Sequence, residues 1–123
     1  MREAGQKIGV VTLKCFRPFP FAAVREALRH VSRVLVIERM MSAGGAGAVS
    51  LEVMKALKGT AVDQKTVYAG LGGRSVSKAS FKKVFGAALR NELQEDEFFL
   101  DLDRELLSRQ LEREKTSRHI GPL

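Results

Sequence analysis

The sequence predicts an α/β fold in which a mostly parallel sheet carries helices on both faces. Residues 34–37 are four consecutive apolar residues, mostly β-branched, a pattern typical of a strand buried on both faces. A glycine-rich loop over 42–47 follows, and apolar residues then recur at helical spacing up to Leu57. Because strand-like and helix-like segments alternate before and after this unit, the 123-residue chain is expected to contain several βα units in one domain.

The expected elements alternate along the chain, and each has its own sequence signal. Strands are rich in β-branched residues and are bounded by glycine or proline, whereas helices repeat apolar residues at spacings of three and four. The chain is expected to begin with a helix end over 1–6 that is closed by Gly5. Strands are expected at 8–16, 34–39 and 66–71, and a short extended segment at 98–100. Helices are expected between them: one from Pro20, one over 47–58 and one capped by Ser77. Asp101 or Asp103 is expected to cap a last helix that ends near Lys115. The domain is therefore expected to span 1–115, with 116–123 as a loose tail.

The composition is that of an ordinary cytoplasmic protein. Hydrophobic residues make up 45% and charged residues 28% of the chain, and neither a secretory signal nor a membrane span is expected. Cys15 is the single cysteine; it is expected to be a small buried apolar residue and cannot by itself hold an iron–sulfur cluster or a structural zinc. His30 and His119 have no ligand pattern beside them, so no metal site is expected.

The net charge of +7 is unevenly distributed. Residues 1–91 carry 16 Lys and Arg against 5 Asp and Glu, whereas residues 92–123 carry 5 against 9. Such asymmetry is typical of a surface for nucleic acid or of one that meets acidic partners. The basic residues are scattered, and no aromatic-rich RNA-binding strand, zinc-finger spacing or basic zipper accompanies them, so nucleic acid is not the favoured partner.

Two glycine-containing loops follow strands and precede helices, which is where α/β sheets bind ligands. Each loop nearly matches a dinucleotide fingerprint, but Ser50 in one and Ser75 in the other replaces the third glycine. The pattern therefore favours tight turns and close packing, with anion binding at the helix starts as the alternative. The candidate anion-binding residues are Arg39, Gly45, Gly47, Gly72, Gly73 and Arg74.

No catalytic constellation is visible in the sequence. Glu38, at the end of a strand, has the chemistry of a general base but no His, Cys or Lys partner nearby in sequence. Arg74 follows two glycines and suits either bidentate contact with a carboxylate or phosphate or the fixing of its own loop. The chain is interpreted as a module that packs or binds.

Several segments, in this order, resemble a known family. Residues 13–20 (LKCFRPFP), 34–39 (VLVIER) with 42–47 (SAGGAG), and 68–77 (YAGLGGRSVS) are similar to the C-terminal domain of the alpha subunit of pyruvate:ferredoxin oxidoreductase, also called pyruvate synthase. The resemblance covers roughly residues 1–90. It implies a three-layer α/β/α sandwich of the transketolase C-terminal-like type, built on a five-stranded mixed sheet.

The resemblance also implies the activity of the parent complex. Enzymes of this family, which serve anaerobic metabolism, decarboxylate a 2-oxoacid oxidatively with coenzyme A and pass the electrons to ferredoxin or flavodoxin. Thiamine diphosphate is held by another domain of the alpha subunit and by the beta subunit, and the iron–sulfur clusters by cysteine-rich segments, so no family catalytic residue maps onto this chain. The implied role is to support assembly with the rest of the alpha subunit and with beta-, gamma- and delta-type subunits. The candidate interface residues are Arg17, Phe19, Arg39, Met40, Met41, Gly44 and Arg74.

The start of the chain departs from the family pattern. Family members have a strand and most of a helix before the position of Met1, so one strand of the sheet is expected to be missing and one edge to be unpaired. Either the chain is part of a longer subunit or a separate polypeptide supplies the missing part, and the chain alone is expected to be poorly stable. Two further hypotheses stay open: the C-terminal domain of a transketolase or 2-oxoacid dehydrogenase component, and a free-standing basic module that binds nucleotides or nucleic acid.

Overall fold

The structure, a computed structural model, describes residues 1–118 and contains a three-stranded parallel sheet and four α-helices. The strands stand in the order β1-β2-β3. The strands are β1 (Arg33–Glu38), β2 (Asp63–Tyr68) and β3 (Glu97–Phe99), and the helices are α1 (Phe21–Leu28), α2 (Ala48–Ala56), α3 (Lys78–Leu89) and α4 (Arg104–Arg118). Short 3₁₀ turns occupy Arg2–Ala4 and Leu71–Gly73. The predicted α/β class is confirmed.

The core lies between α1, α2 and one face of β1. Val36 is the central strand residue of this core, and Leu13, Val34, Val49 and Val62 pack against its edge. The buried side chains that form it are Phe19, Val24, Leu28, Val36, Val53, Ala56 and Leu57. The helical spacing of these residues in α1 and α2 explains why both helices direct one stripe at the sheet.

The other face of β1 meets α3. Successive strand residues point to opposite faces, so the side chain of Arg33 points away from the face that carries Val34. The Arg33 guanidinium donates hydrogen bonds to the Ala88 carbonyl and to the side chain of Asn91, where α3 ends. These bonds link the end of α3 to the start of β1, on the side of the strand opposite the core.

The expected first strand at 8–16 is not formed. These residues are extended, yet among the described residues none of 9–18 makes a backbone hydrogen bond to another element. A β-rich sequence becomes a strand only when a neighbour offers complementary N–H and C=O groups, and no described strand does so here. Cys15, expected to be buried, is consequently exposed.

Most of the other boundaries agree with the sequence. Gly5 closes the first turn with a φ of 78°, and Ser77 caps α3 by accepting from the N–H of Ser80 at 3.0 Å. Asp103 caps α4 at the N–H of Leu106, at 2.9 Å. Pro20 precedes the first residue of α1. The strand expected at 66–71 begins and ends three residues earlier.

The last helix runs further than predicted. α4 continues through Arg118, and its side chains are exposed from Arg104 to Thr116. The first three residues of the expected tail are thus helical, and 119–123 lie outside the described residues.

Candidate functional site

The buried carboxylate of Glu38 links the end of β1 to the start of α2. Glu38 is 5% exposed, and its Oε1 accepts a hydrogen bond of 2.6 Å from the backbone N–H of Ser50. Gly47, which occupies the N-cap position of α2, has no side chain to accept that bond. A Cβ at Gly47 would lie 2.2 Å from the Glu38 Oε1, so a glycine is required for the carboxylate to reach the helix.

A second buried group, the phenol of Tyr68 at the end of β2, holds the same loop. The N–H of Gly47 donates to the Tyr68 hydroxyl at 3.0 Å, and that hydroxyl donates to Oε2 of Glu97 at 3.2 Å. Burial raises the pKa of Tyr68, and the hydrogen bond to Glu97 raises it further. The ring packs on Phe99 with centroids 5.2 Å apart, so β3 is tied to β2 through the same residue.

Polar contacts continue beneath α2. The hydroxyl of Thr66 donates to Oγ of Ser50 at 3.0 Å, and Nε2 of Gln64 donates to the Ser50 carbonyl at 2.9 Å. Ser50 and Thr66 are both buried. These bonds join β2 to the first turns of α2 and fix the register between helix and sheet.

An ionic network lies at the opposite end of the strands. Lys65 is buried and pairs with Asp96 at 2.6 Å and with Asp63 at 3.6 Å, while Arg33 pairs with Asp63 at 2.6 Å. The hydrogen bond to Asp96 raises the pKa of Lys65, and the Arg33 guanidinium lowers the pKa of Asp63. Each charge has its partner, so this network stabilises the strand ends.

Anion binding at the α2 N-terminus stays a prediction, and the position of Glu38 weighs against it. Gly45 and Gly47 border this helix start, but the Glu38 carboxylate already accepts from the Ser50 N–H and the Tyr68 hydroxyl from the Gly47 N–H. An external anion would meet that negative charge. Glu38 is equally unsuited to be a general base, because it is buried against the backbone.

The loop that contains Gly72, Gly73 and Arg74 also stays a prediction as an anion-binding site. Gly72 and Gly73 have φ angles of 65° and 79°, a left-handed conformation that side chains rarely adopt. Both belong to the turn between β2 and α3, and Arg74 follows them in an extended conformation. Ser77 already caps α3, so the geometry of this loop is explained by its turn.

Four candidate assembly residues lie together in the exposed β1–α2 loop (residues 39–47): Arg39, Met40, Met41 and Gly44. Met40 and Met41 are 58% and 45% exposed, which is unusual for adjacent large apolar side chains. A Cβ at Gly70 would lie 3.4 Å from Nε of Arg39 and 3.1 Å from the carbonyl oxygen of Arg74. The tertiary structure therefore brings Arg39 and Arg74 to the same turn, beside the two methionines.

Arg17 is also on the surface, whereas Phe19 is not. The Arg17 guanidinium lies 4.0 Å from the ring centroid of Phe16 and pairs with Glu52 of α2 at 3.2 Å. Phe19 is 7% exposed and belongs to the core cluster. Its assignment as an interface residue is wrong, because the turn through 17–20 directs its ring inward.

The described residues show no cluster of metal-ligating side chains. No set of three or more His, Cys, Asp or Glu side chains converges there, and the exposed Cys15 thiol contacts only backbone carbonyls. Within residues 1–118, no helix has the length and apolar character that crossing a membrane needs. The most distinctive feature of the described surface is the β1–α2 loop, which is held by hydrogen bonds from Glu38 and Tyr68 and exposes Met40 and Met41.

The sequence analysis did not identify the residues whose hydrogen bonds hold the β1–α2 loop. Tyr68, Ser50 and Glu97 are 21, 3 and 50 positions from Gly47, and no local motif joins them. The available signal was the glycine at the N-cap of α2, where serine or aspartate is usual, since a helix start without a capping side chain needs a partner from elsewhere.

Comparison with known proteins places the chain among oxidoreductase subunits. A family model described as pyruvate:ferredoxin oxidoreductase core domain II matches residues 1–81. The chain is 34% identical over 100 residues to pyruvate synthase subunit PorA of Thermotoga maritima, and the match covers 79% of this chain and 25% of the relative. PorA of Methanosarcina barkeri is 30% identical over 112 residues, covering 86% and 28%.

A relative with another named substrate gives a similar match. Ketoisovalerate oxidoreductase subunit VorA of Pyrococcus horikoshii is 33% identical over 86 residues, covering 68% of this chain and 22% of the relative. The chain thus spans between a fifth and about three tenths of the length of these relatives. The family match over residues 1–81, together with these relatives, shows that the chain belongs to the pyruvate:ferredoxin oxidoreductase core domain II family, as a domain of the alpha-subunit type.

Proposed function

We propose that this chain is a non-catalytic assembly domain of a pyruvate:ferredoxin oxidoreductase. In this proposal the whole complex, in the cytoplasm, decarboxylates pyruvate oxidatively with coenzyme A and passes the electrons to ferredoxin. The remaining alpha-subunit domain and the beta-, gamma- and delta-type subunits are the proposed partners. The relatives named for pyruvate and for ketoisovalerate support the 2-oxoacid class, and the PorA relatives favour pyruvate within it.

One observation carries the assembly role. The buried ionisable groups are all engaged in contacts within the fold, whereas the β1–α2 loop exposes Met40 and Met41. These groups are Glu38, Glu52, Lys65 and Tyr68. Because these buried side chains are used in hydrogen bonds and ion pairs within the domain, we interpret them as structural groups that position the loop. Adjacent exposed methionines suit an adaptable apolar contact with a protein partner.

The cofactors of the complex are proposed to bind elsewhere. The described residues offer no convergent set of His, Cys or acidic ligands, and one cysteine cannot ligate an iron–sulfur cluster. The chain therefore lacks the set of cysteine thiolates that an iron–sulfur cluster requires. We assign thiamine diphosphate, iron–sulfur clusters and coenzyme A to other domains and subunits.

The first test is the native state of the chain in its source cells. We expect an affinity-tagged chain to be recovered in a large assembly that contains thiamine diphosphate and iron and that reduces ferredoxin when pyruvate is added. A higher rate with 2-oxoisovalerate would change the substrate within the proposal. Recovery as a lone species of 13.6 kDa would contradict the proposal.

A second test addresses the β1–α2 loop. The double substitution Met40→Ser with Met41→Ser removes the exposed apolar contact and is expected to reduce recovery of the complex at least tenfold. Met54→Ser is the matched control, because Met54 is 54% exposed but lies on α2. Equal recovery of the double variant and the control would show that the loop is not part of the interface.

A further inference from the structure

The last helix, α4, carries exposed leucines that no other described element covers. Its side chains are exposed from Arg104 to Thr116, and no described strand or helix packs extensively against it. Leu107 and Leu111 are 41% and 50% exposed and lie four positions apart, so they occupy the same face of the helix. Exposed leucines stacked on one helix face are typical of a surface that binds another helix.

The two leucines belong to a longer seam along α4. Its residues recur at spacings of three, four and three, which are the spacings of the a and d positions in a coiled coil. They are Arg104, Leu107, Leu111 and Glu114. On the opposite face Glu105 forms an ion pair with Arg109, so that face is polar. α4 therefore has one face suited to a partner helix and one suited to solvent.

The order of residues along this seam makes it complementary to itself in the antiparallel direction. When two copies of α4 run antiparallel with their leucines in register, Leu107 of each copy faces Leu111 of the other. In the same register, Arg104 of each copy faces Glu114 of the other. A parallel pair would instead set each of these charges against its like, which is repulsive. The antiparallel pair also places the positive end of each helix dipole beside the negative end of the other.

We infer that α4 is an interaction surface for a second copy of this chain, which binds as an antiparallel helix pair about a two-fold axis between the leucine layers. The charge complementarity of the seam to itself favours a second copy over an unrelated partner. The family model matches residues 1–81, so α4 lies outside the matched region. The inference goes beyond the proposed function, because the contact joins two copies of the chain and does not depend on the other subunits.

The first test is co-recovery of two copies that carry different affinity tags and are expressed together in the source cells. Capture through the first tag is expected to recover the second tag. The double substitution Leu107→Ala with Leu111→Ala is expected to lower that recovery at least about tenfold, because it removes four leucines from the contact, while alanine preserves the helix. Leu106→Ala is the matched control, because Leu106 is an exposed leucine of α4 that lies outside the seam.

Exchange of the two charges tests the antiparallel register. Arg104→Glu sets a carboxylate against Glu114 of the other copy, and Glu114→Arg sets a guanidinium against Arg104. Co-recovery is therefore expected to be lost when both copies carry the same one of these substitutions. When one copy carries Arg104→Glu and the other carries Glu114→Arg, opposite charges face each other again and co-recovery is expected to return. Single substitutions without effect, or a mixed pair that stays apart, would overturn the inference.

The outcomes separate this inference from the proposed function. If the complex is recovered with one tag only, the inference is overturned and the proposed function stands. Unchanged co-recovery in the double leucine variant would show that the copies meet through another surface. Loss of the other subunits in that variant would assign the seam to the rest of the assembly and also overturn the inference. If no complex is recovered while co-recovery still depends on the leucines, the proposed function is overturned and the helix pair stands.

Discussion

The carboxylate of Glu38 lies 2.6 Å from the backbone nitrogen of Ser50, so the last residue of β1 caps the first turn of α2 from inside the fold. Gly47 occupies the position where a helix normally carries its capping side chain, and its lack of a Cβ lets the carboxylate approach. The interaction places a negative charge at the positive end of the helix dipole. It fixes both ends of the β1–α2 loop, which carries the exposed methionines.

Removing this carboxylate is expected to destabilise the domain. Glu38→Ala leaves the Ser50 N–H buried without an acceptor and is expected to lower the free energy of unfolding by about 1.5–3 kcal/mol. Urea unfolding in the cold measures the change. Glu26→Ala on α1 is the control, because its side chain is 68% exposed and pairs only with Arg29. An equal loss in both variants would contradict the capping role.

Adding one methyl group at Gly47 is expected to have a similar effect. In Gly47→Ala the new Cβ would meet the Glu38 carboxylate at 2.2 Å, so the side chain must move away from the helix start. A loss of about 1–3 kcal/mol in the free energy of unfolding is expected from this overpacking. Gly44→Ala lies in the same loop with no atom within 4 Å of its Cβ and should leave stability unchanged. A neutral Gly47→Ala would contradict the structure.

The phenol of Tyr68 should matter most at high pH. Tyr68→Phe leaves the Gly47 N–H without an acceptor, with an expected cost of about 1–3 kcal/mol in the free energy of unfolding. Because the folded state raises the pKa of Tyr68, its neutral form contributes stability that is fully present below the ordinary value of about 10 and is lost as the pH rises through the folded value.

Unfolding midpoints measured from neutral to strongly alkaline pH test this prediction. The wild-type chain is expected to lose more stability above about pH 10 than the Tyr68→Phe variant does. Parallel curves for the two proteins would show that the phenol is not held in its neutral form by the fold.

The ion pair between Arg33 and Asp63 is expected to make part of the free energy of unfolding sensitive to acid. The hydrogen bond from Arg33 lowers the pKa of Asp63 in the folded state, so Asp63 contributes stability that is present above its ordinary pKa of about 3.9. That contribution is lost as the pH falls through the lower folded value. Asp63→Asn is therefore expected to flatten the acid limb of the urea midpoint against pH. Glu112→Gln on the exposed α4 is the control, and an unchanged acid limb in Asp63→Asn would contradict the assignment.

The isolated chain is expected to be poorly stable. The open edge of β1 and the exposed Val10 and Val11 leave apolar surface and backbone groups without partners. Thermal unfolding followed by circular dichroism should show a broad transition near or below room temperature, accompanied by aggregation. A cooperative transition of the monomer well above room temperature would contradict this expectation.

The elements that the sequence predicted well are those specified by contacts between near neighbours. Ser77 and Asp103 cap their helices through bonds to residues three positions away. The apolar spacing in α1 and α2 likewise reflects one helix face, and Val24, Leu28 and Val53 on that face belong to the core. The segments that carry the family resemblance are also continuous in sequence, and the family match confirms it.

The sequence by itself therefore determined the order of the elements from α1 onward, the caps of α3 and α4, and the family to which the chain belongs. The tertiary structure alone decided that residues 8–16 pair with no described strand, that Phe19 is buried and Cys15 exposed, and that Glu38 and Tyr68 hold the β1–α2 loop. The physical reason is distance along the chain. A helix meets its own hydrogen-bonding needs within four residues, whereas a strand, a buried carboxylate or a buried phenol depends on partners that only the folded chain brings near.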